Sequence, residues 1–355
     1  MRKIMVEFIK DGDILAKDLF TSSGVVLMSE GAHLKREYVA RLLELNIDQV
    51  YIREEETKDD VPAGTIIEEE VKAQCAELVR TTIQKYTYAP TDELKEMVKV
   101  ADEMISDILS QPEILYNVSC VREKSNALYL HSINVAAIST LIALRGKLSK
   151  KKVREIAIGA LLHDIGYTTV TMDTSDLIFD TCEEKVKKEV MHHVIYGYTD
   201  VEKKDWVTKT VKDIILHHHE RLDGSGYPFH HTGKHLKKEV CIVALCDQFD
   251  SMVYGNLMPR YKVRDAMEYL LSQAGVKFDF DLVQLFMESV AAYPIGITVT
   301  TNEGDTAVVV RQNYKFPTRP VIRLLENSEG VSYPEGEERD LTKYLTLFIT
   351  GSQEY

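Results

Sequence analysis

The sequence predicts a mainly α-helical protein, a helical bundle domain with a small α/β unit at its N-terminus and a small β-rich segment at its C-terminus. Three observations predict it. Residues 65–292 form an almost unbroken series of amphipathic stretches in which apolar side chains return at the helical period. Beyond Tyr293-Pro294 the period shortens to that of strands, in GITVTT, TAVVVRQ and RPVIRLL. Before residue 55, short apolar runs alternate with turn signals at Asp11-Gly12 and Ser22-Ser23-Gly24.

Taken in order, residues 5–9, 24–28 and 49–52 read as strands. Residues 34–45 read as a helix, with Leu42 and Leu45 three positions apart. These elements make a unit over 1–55. The stretch REEETKDDVPAG at 53–64 is charged and ends in Pro and Gly, so 56–64 is expected to be a solvated linker. Helices are expected over 66–86, 92–109, 126–144, 151–162, 183–200, 203–219, 238–252, 262–273 and 281–292. Thr91-Asp92 and Ser149 stand where N-caps belong. In the extension 293–355, NEGD at 302–305 is a hairpin turn signal.

The chain has 355 residues, enough for two or three units. Its 43 basic and 56 acidic residues give a net charge of −13, which excludes non-specific binding to duplex nucleic acid, since that needs a basic face. A small anionic ligand is still allowed, because bound metal ions invert the local field. The longest apolar run, 135–144, is too short to cross a bilayer, and the N-terminal MRKIMVEFIKDGD does not read as a signal peptide. Cys75, Cys120, Cys182, Cys241 and Cys246 form no CxxC pair, so reduced thiols in a cytoplasmic protein are expected.

The chemistry lies in the histidines. Ten of the eleven fall between His131 and His235, less than a third of the chain. His131 sits in HSINVA, His163-Asp164 in LLHDIG, His193 in HHVIYG, His218-His219 in HHHERLDGSGYP, and Asp247 in CIVALCDQFD. These positions recur 25–32 residues apart, the interval of successive helices that each deliver ligands inward. Taken alone, His131 or His193 reads more readily as a hydrogen-bonded core histidine. Asp247, between Leu245, Cys246 and Phe249, is harder to dismiss, because an ionised carboxylate among apolar neighbours is costly unless paired or bound to metal. The same holds for Asp164. Together the set favours a metal, and mixed imidazole and carboxylate donors suit iron, manganese, zinc or nickel over calcium or magnesium. Directly after the paired histidines, Gly224, Gly226 and Pro228 impose a tight loop that brings backbone N–H groups and Tyr227 close to any such metal.

On HSINVA, LLHDIG, HHVIYG, HHERLDGSGYP and DQFDSM, residues 125–292 resemble the HD-GYP family, the HD-superfamily phosphohydrolases that degrade cyclic di-GMP in bacteria. The resemblance implies an HD-type helical bundle and two divalent transition-metal ions, iron or manganese first. His131, His163, Asp164 and Asp247 would hold one ion, and His193, His218 and His219 the other, with Asp164 bridging. It further implies catalytic roles for Asp164, His163 and Asp250, and substrate contacts from Tyr227, Gly226, Arg221, Asp223 and Arg260. The implied reaction is attack of a metal-activated hydroxide on a cyclic dinucleotide phosphodiester. It opens the ring to linear pGpG, with GMP as a further product left open. A homodimer is compatible with this reading, and no membrane partner is expected.

The sequence departs from the family pattern in four places. Tyr167 stands where the family has the lysine of HDIGK, and Asn256 where it has an arginine, leaving Arg260 or Lys262 to take that place. Val194 replaces a proline. Ala127 stands where three-metal members carry glutamate, so two ions are expected. The thinned phosphate contacts keep two alternatives open: a slow or inactive cyclic-dinucleotide receptor, and a hydrolase of another, mixed cyclic dinucleotide.

Overall fold

The computed structural model describes residues 2–353 except 17, 21–25, 46, 48, 54–74, 76, 84–91, 111–114, 117–126, 173–176 and 335–336. The expected turn at Ser22–Gly24, the linker 56–64, Thr91, and most of the expected helix 66–86 lie outside the described residues. The chain divides into two compact units. One gathers residues 1–65, 113–127 and 290–355, and the other 66–112 and 128–289.

The second unit is helical. After a helical stretch at 77–83 come helices α2 (Met97–Ser110), α3 (Ala127–Arg145) and α4 (Lys150–Leu162). Then follow α5 (Glu184–Met191), α6 (His193–Val201) and α7 (Lys209–His217). Helices α8 (Lys238–Tyr254), α9 (Val263–Ser272) and α10 (Phe280–Met287) complete it. Ser149 caps α4 as expected, its Oγ accepting from the N–H of Lys152 at 3.4 Å. The stretch 183–200, expected as one helix, is two, broken at His192.

Helix α8 is apolar nearly all round, which is the pattern of a helix enclosed by others. Val240, Ile242, Val243, Leu245, Phe249, Met252 and Val253 are all buried on it. Helices α4, α7, α9 and α10 pack around it. Each fully buried Leu, Ile or Phe contributes roughly 1.5–3 kcal/mol. The Phe249 and Phe286 rings meet edge to face at 4.9 Å. The outer helices are one-sided: α2 buries Met97, Val100, Ala101, Met104 and Ile108, and α9 buries Val263, Ala266, Met267 and Leu270.

Among the described residues, the other unit contains a short helix α1 (Val39–Glu44) and three antiparallel sheets. Strand β5 (Gln49–Arg53) lies between β1 (Arg2–Met5) and β2 (Ile14–Leu15), with Ile4 opposite Val50. Strands β3 (Leu19–Phe20) and β4 (Val26–Met28) form a ribbon. The core beneath them is Val6, Leu15, Leu34, Leu42 and Val50. The C-terminal residues form a five-stranded sheet ordered β10–β6–β7–β8–β9. Its strands are β6 (Thr298–Thr301), β7 (Thr306–Arg311), β8 (Val321–Glu326), β9 (Glu338–Asp340) and β10 (Ile349–Gln353). The hairpin between β6 and β7 turns at 302–305, where NEGD signals it.

Candidate metal centre

Five helices bring the sequence-marked side chains together inside the helical unit. His131 projects from α3. His163 ends α4, and a single turn of 3-10 helix at Ile165–Thr168 follows, so Asp164 leaves the chain at the junction. The break at His192 makes His193 the first residue of α6. His218 ends α7 with His219 behind it, and α8 carries Asp247 and Asp250 three positions apart on one face. His131, His163, Asp164, His193, His218, Asp247 and Asp250 are all buried, while the His219 side chain is 19% exposed and so offers the way in.

Asp164 stands between two groups. Its Oδ2 lies 3.3 Å from His163 Nε2 and 3.6 Å from His131 Nε2. Its Oδ1 lies 3.3 Å from His193 Nε2 and 3.6 Å from His218 Nε2. Asp247 joins the first group through Oδ1, 3.1 Å from His131 Nε2, and reaches His219 Nδ1 at 3.6 Å through Oδ2. Asp250 lies behind His131, with Oδ2 2.6 Å from Nδ1.

Backbone carbonyls fix the imidazole tautomers. A carbonyl can only accept, so each Nδ1 facing one must carry the proton. The Nδ1–H of His163 donates to the Ala160 carbonyl at 2.7 Å, that of His193 to Val190 at 2.6 Å, and that of His218 to Ile215 at 3.0 Å. In their neutral forms all three rings therefore turn a bare Nε2 lone pair inward. His193 and His218 face each other this way at 3.3 Å, with an oxygen of Asp164 beside them. Lone pairs so arranged repel unless a cation stands among them, and a neutral imidazole held by a carbonyl is the form that binds metal. The donor set fits a metal.

The electrostatics agree. Burial pushes the His218 imidazolium down to about 4, and burial with His218 close by pushes His219 well below its ordinary value. Both rings are thus neutral near pH 7. Burial opposes ionisation of Asp164, but His163, His193 and His218 outweigh it and hold the carboxyl well below its usual range. Burial also lowers His131, yet Asp247 and Asp250 overcome it and push the ring up to about 10. To help hold an ion beside Asp247, His131 would have to give up that proton.

Two tyrosines wall the cluster. Tyr167 stacks on His193 with ring centroids 4.3 Å apart and planes 14° off parallel, and Tyr227 stacks on His219 at 4.7 Å and 24°. Burial, with Asp164 next for Tyr167 and Asp247 next for Tyr227, raises both phenols well above their ordinary value, so both stay protonated donors. The other expected substrate residues are otherwise engaged. The Arg221 guanidinium donates to the carbonyls of His218 and Glu220, each at 3.0 Å, and to Gln248 Oε1 at 3.0 Å. Asp223 Oδ1 accepts from the Ser225 N–H at 2.9 Å and Oγ at 2.6 Å, closing a turn. Arg260 is exposed, its Nε 3.5 Å from the Val253 carbonyl.

Sequence reasoning missed two supports. Gly166 permits a close approach: a Cβ there would lie 1.9 Å from the His193 carbonyl oxygen and 2.6 Å from the Gly197 nitrogen. Glu220 is buried, and its carboxylate accepts from the N–H groups of Phe229 at 2.8 Å and His231 at 3.0 Å, folding the loop after Pro228 back on α7. Its place directly after His218-His219 was the available signal. At Gly226 a Cβ would lie 2.3 Å from the His219 carbonyl oxygen, so that loop too needs glycine for close packing.

Among known proteins, the HD domain family matches residues 128–252, and a KOW domain associated with HD domains matches 298–353. Cyclic di-GMP phosphodiesterase PA4108 of Pseudomonas aeruginosa is 26% identical over 274 residues, covering 74% of this chain and 65% of that protein. The 3′3′-cGAMP-specific phosphodiesterase 2 of Vibrio cholerae is 27% identical over 182 residues, covering 50% and 34%. The chain thus spans less than two thirds of either relative. The solved structure of Bd1817, an HDG"Y"P protein from Bdellovibrio bacteriovorus, shares the fold at 16% identity with a TM-score of 0.50, covering 80% of this chain and 97% of that one. No helix among the described residues is long and apolar enough to cross a membrane. Residues 128–252 are thus an HD domain.

Proposed function

We propose that this protein is a metal-dependent phosphodiesterase that opens a cyclic dinucleotide, cyclic di-GMP first, to the linear pGpG. The observation that carries the reading is the Asp164 carboxylate, with one oxygen toward His131 and His163 and the other toward His193 and His218. His131, His163, Asp164 and Asp247 would hold one divalent ion, and Asp164, His193, His218 and His219 a second, with iron or manganese suited to this donor set. Such a pair, when bound, acidifies water into a nucleophile near neutral pH and offsets the charge on phosphate. The names of the relatives above support the substrate class.

The residues of the chain divide the remaining work. Asp164 holds the two histidine groups in one geometry. Asp250 positions His131 by fixing its tautomer, a role behind the ring rather than at the reacting atoms. Tyr167 and Tyr227 stand at the rim as neutral donors for phosphate oxygens, so Tyr167 supplies a contact where the family has lysine. Arg221 holds the backbone of His218 and Glu220 and leaves phosphate binding to others. A cytoplasmic location suits the thiols. Cys75, Cys182, Cys241 and Cys246 are free, and burial pushes Cys75 and Cys241 up to about 11 and Cys246 up to about 12.

Two variants probe these roles. Asp250→Asn removes the charge that orients His131, and outer partners of this kind are typically worth 10–100-fold in metal affinity. Graded chelator competition should show one ion held that much more weakly and the other unchanged; equal retention of both would remove Asp250 from the account. Tyr167→Phe keeps the stack on His193 and loses the hydroxyl. Since a hydrogen bond to a charged group is worth about 1.5–3 kcal/mol, KM should rise tenfold or more with metal content unchanged. An unaltered KM would show that Tyr167 does not meet substrate.

The reading as a whole is tested by incubating anaerobically purified, manganese- or iron-loaded protein with cyclic di-GMP, 3′3′-cGAMP and cyclic di-AMP. Chromatography should show pGpG forming faster than any other product. Faster cleavage of 3′3′-cGAMP would move the substrate to the mixed dinucleotide. Tight binding with no product from any of the three would make the protein a receptor.

A further inference from the structure

Next to the centre described above stands a second cluster of donors, none of which is among the ligands assigned to that centre. Consecutive helical residues are about 100° apart, so His217 leaves α7 on a different face from His218. Glu220 follows three positions later, and His231 is folded back to meet both. The donor atoms of His217, Glu220 and His231 all lie within 4.8 Å of one another. The His217 and His231 rings are 5.2 Å apart and tilted by 37°.

Two features separate this cluster from an ordinary surface arrangement. The Nδ1 of His217 is buried and has no hydrogen-bond partner among the described residues. A polar atom withdrawn from water ordinarily finds a partner, and here a coordinate bond would supply it. Glu220 is a carboxylate at 1% exposure, held in place by backbone N–H groups at 2.8 and 3.0 Å. Each of its oxygens accepts one of these bonds, and a carboxylate oxygen has a further lone pair to offer.

We propose that His217, Glu220 and His231 form a separate metal site that takes one divalent transition ion, with zinc as the fitting probe. Two imidazoles and one carboxylate are donors zinc accepts, and three protein ligands leave a fourth position for solvent. Calcium and magnesium, which prefer oxygen donors throughout, are disfavoured. The ion clamps residue 231 to the end of α7 and so closes the loop 221–230, which carries Tyr227. The site does not depend on the phosphodiesterase reading, since it shares no ligand with Asp164.

The test is zinc content after equilibration against chelators of graded strength, measured by elemental analysis on the full chain. Wild type should hold one ion per chain more than His231→Ala. His231→Cys, which restores a zinc ligand, should recover that ion, whereas His231→Asn should not. Asp164→Ala should keep it. Hydrogen exchange in residues 228–236 should slow on adding zinc to wild type and not to His231→Ala. Circular dichroism confirms that each compared variant is folded, and if His231→Ala is not, the cysteine and asparagine variants give the same reading. Equal zinc content in wild type, His231→Ala and His231→Asn would overturn the site, as would zinc protection that survives loss of His231.

Discussion

On the proposed function, replacing Asp164 by alanine should abolish phosphodiester hydrolysis and lower the metal content of a protein that stays folded. Asp164 turns one oxygen toward His131 and His163 and the other toward His193 and His218, so its loss would remove a ligand from both proposed ions at once. Shared metals contribute several kcal/mol of transition-state stabilisation, and turnover should fall on the order of 10³-fold or more, since each 1.36 kcal/mol is tenfold. The fold should survive. The carboxylate is buried and its removal relieves a desolvation cost, while the Nδ1 bonds of His163, His193 and His218 to backbone carbonyls remain. Steady-state kinetics, elemental analysis and circular dichroism check the three parts together. Turnover within tenfold of wild type would remove Asp164 from its bridging position.

Gly166→Ala damages both the fold and the centre. The added Cβ would meet the His193 carbonyl oxygen at 1.9 Å, the Gly197 nitrogen at 2.6 Å and the His193 carbonyl carbon at 2.8 Å, and all three are backbone atoms that cannot rotate aside. Overpacking of this kind costs roughly 1–3 kcal/mol and occasionally more. For a unit of this size that lowers Tm by roughly 2–4 °C per kcal/mol. The larger effect falls on function. The turn Ile165–Thr168 and helix α6 must separate, which moves Asp164 away from His193. Metal retention and activity should both collapse at temperatures where the variant is still folded. Gly351→Ala, where nothing lies within 4 Å, is the matched control and should leave all three unchanged. A Gly166→Ala protein with the Tm and metal content of the control would show that the two backbones have room to part.

Helical periodicity made the bundle legible, because one-sided burial leaves the same trace in α2 and α9 as in the sequence pattern. The centre was legible because ionisable residues such as Asp247 interrupt apolar stretches, where only a partner or a metal offsets their cost. What was hidden was hidden for physical reasons. The break at His192 leaves no Pro or Gly, so the period alone reads 183–200 as one helix. The gathering of residues 1–65 with 290–355 rests on contacts remote in sequence, which no local pattern records. Arg221 is a cation beside a candidate anion site, and only the structure shows its donors aimed at the carbonyls of His218 and Glu220. Tyr167 reads as the loss of a lysine until its stack on His193 is seen.

The most direct measurement is anomalous diffraction from crystals of anaerobically prepared, manganese- or iron-loaded protein, recorded above and below the metal absorption edge. Two peaks should appear in the helical unit, one on each side of the Asp164 carboxylate, the first among His131, His163 and Asp247 and the second among His193, His218 and His219. A single peak on one side of Asp164 with the other side empty, or none within reach of it, would contradict the account.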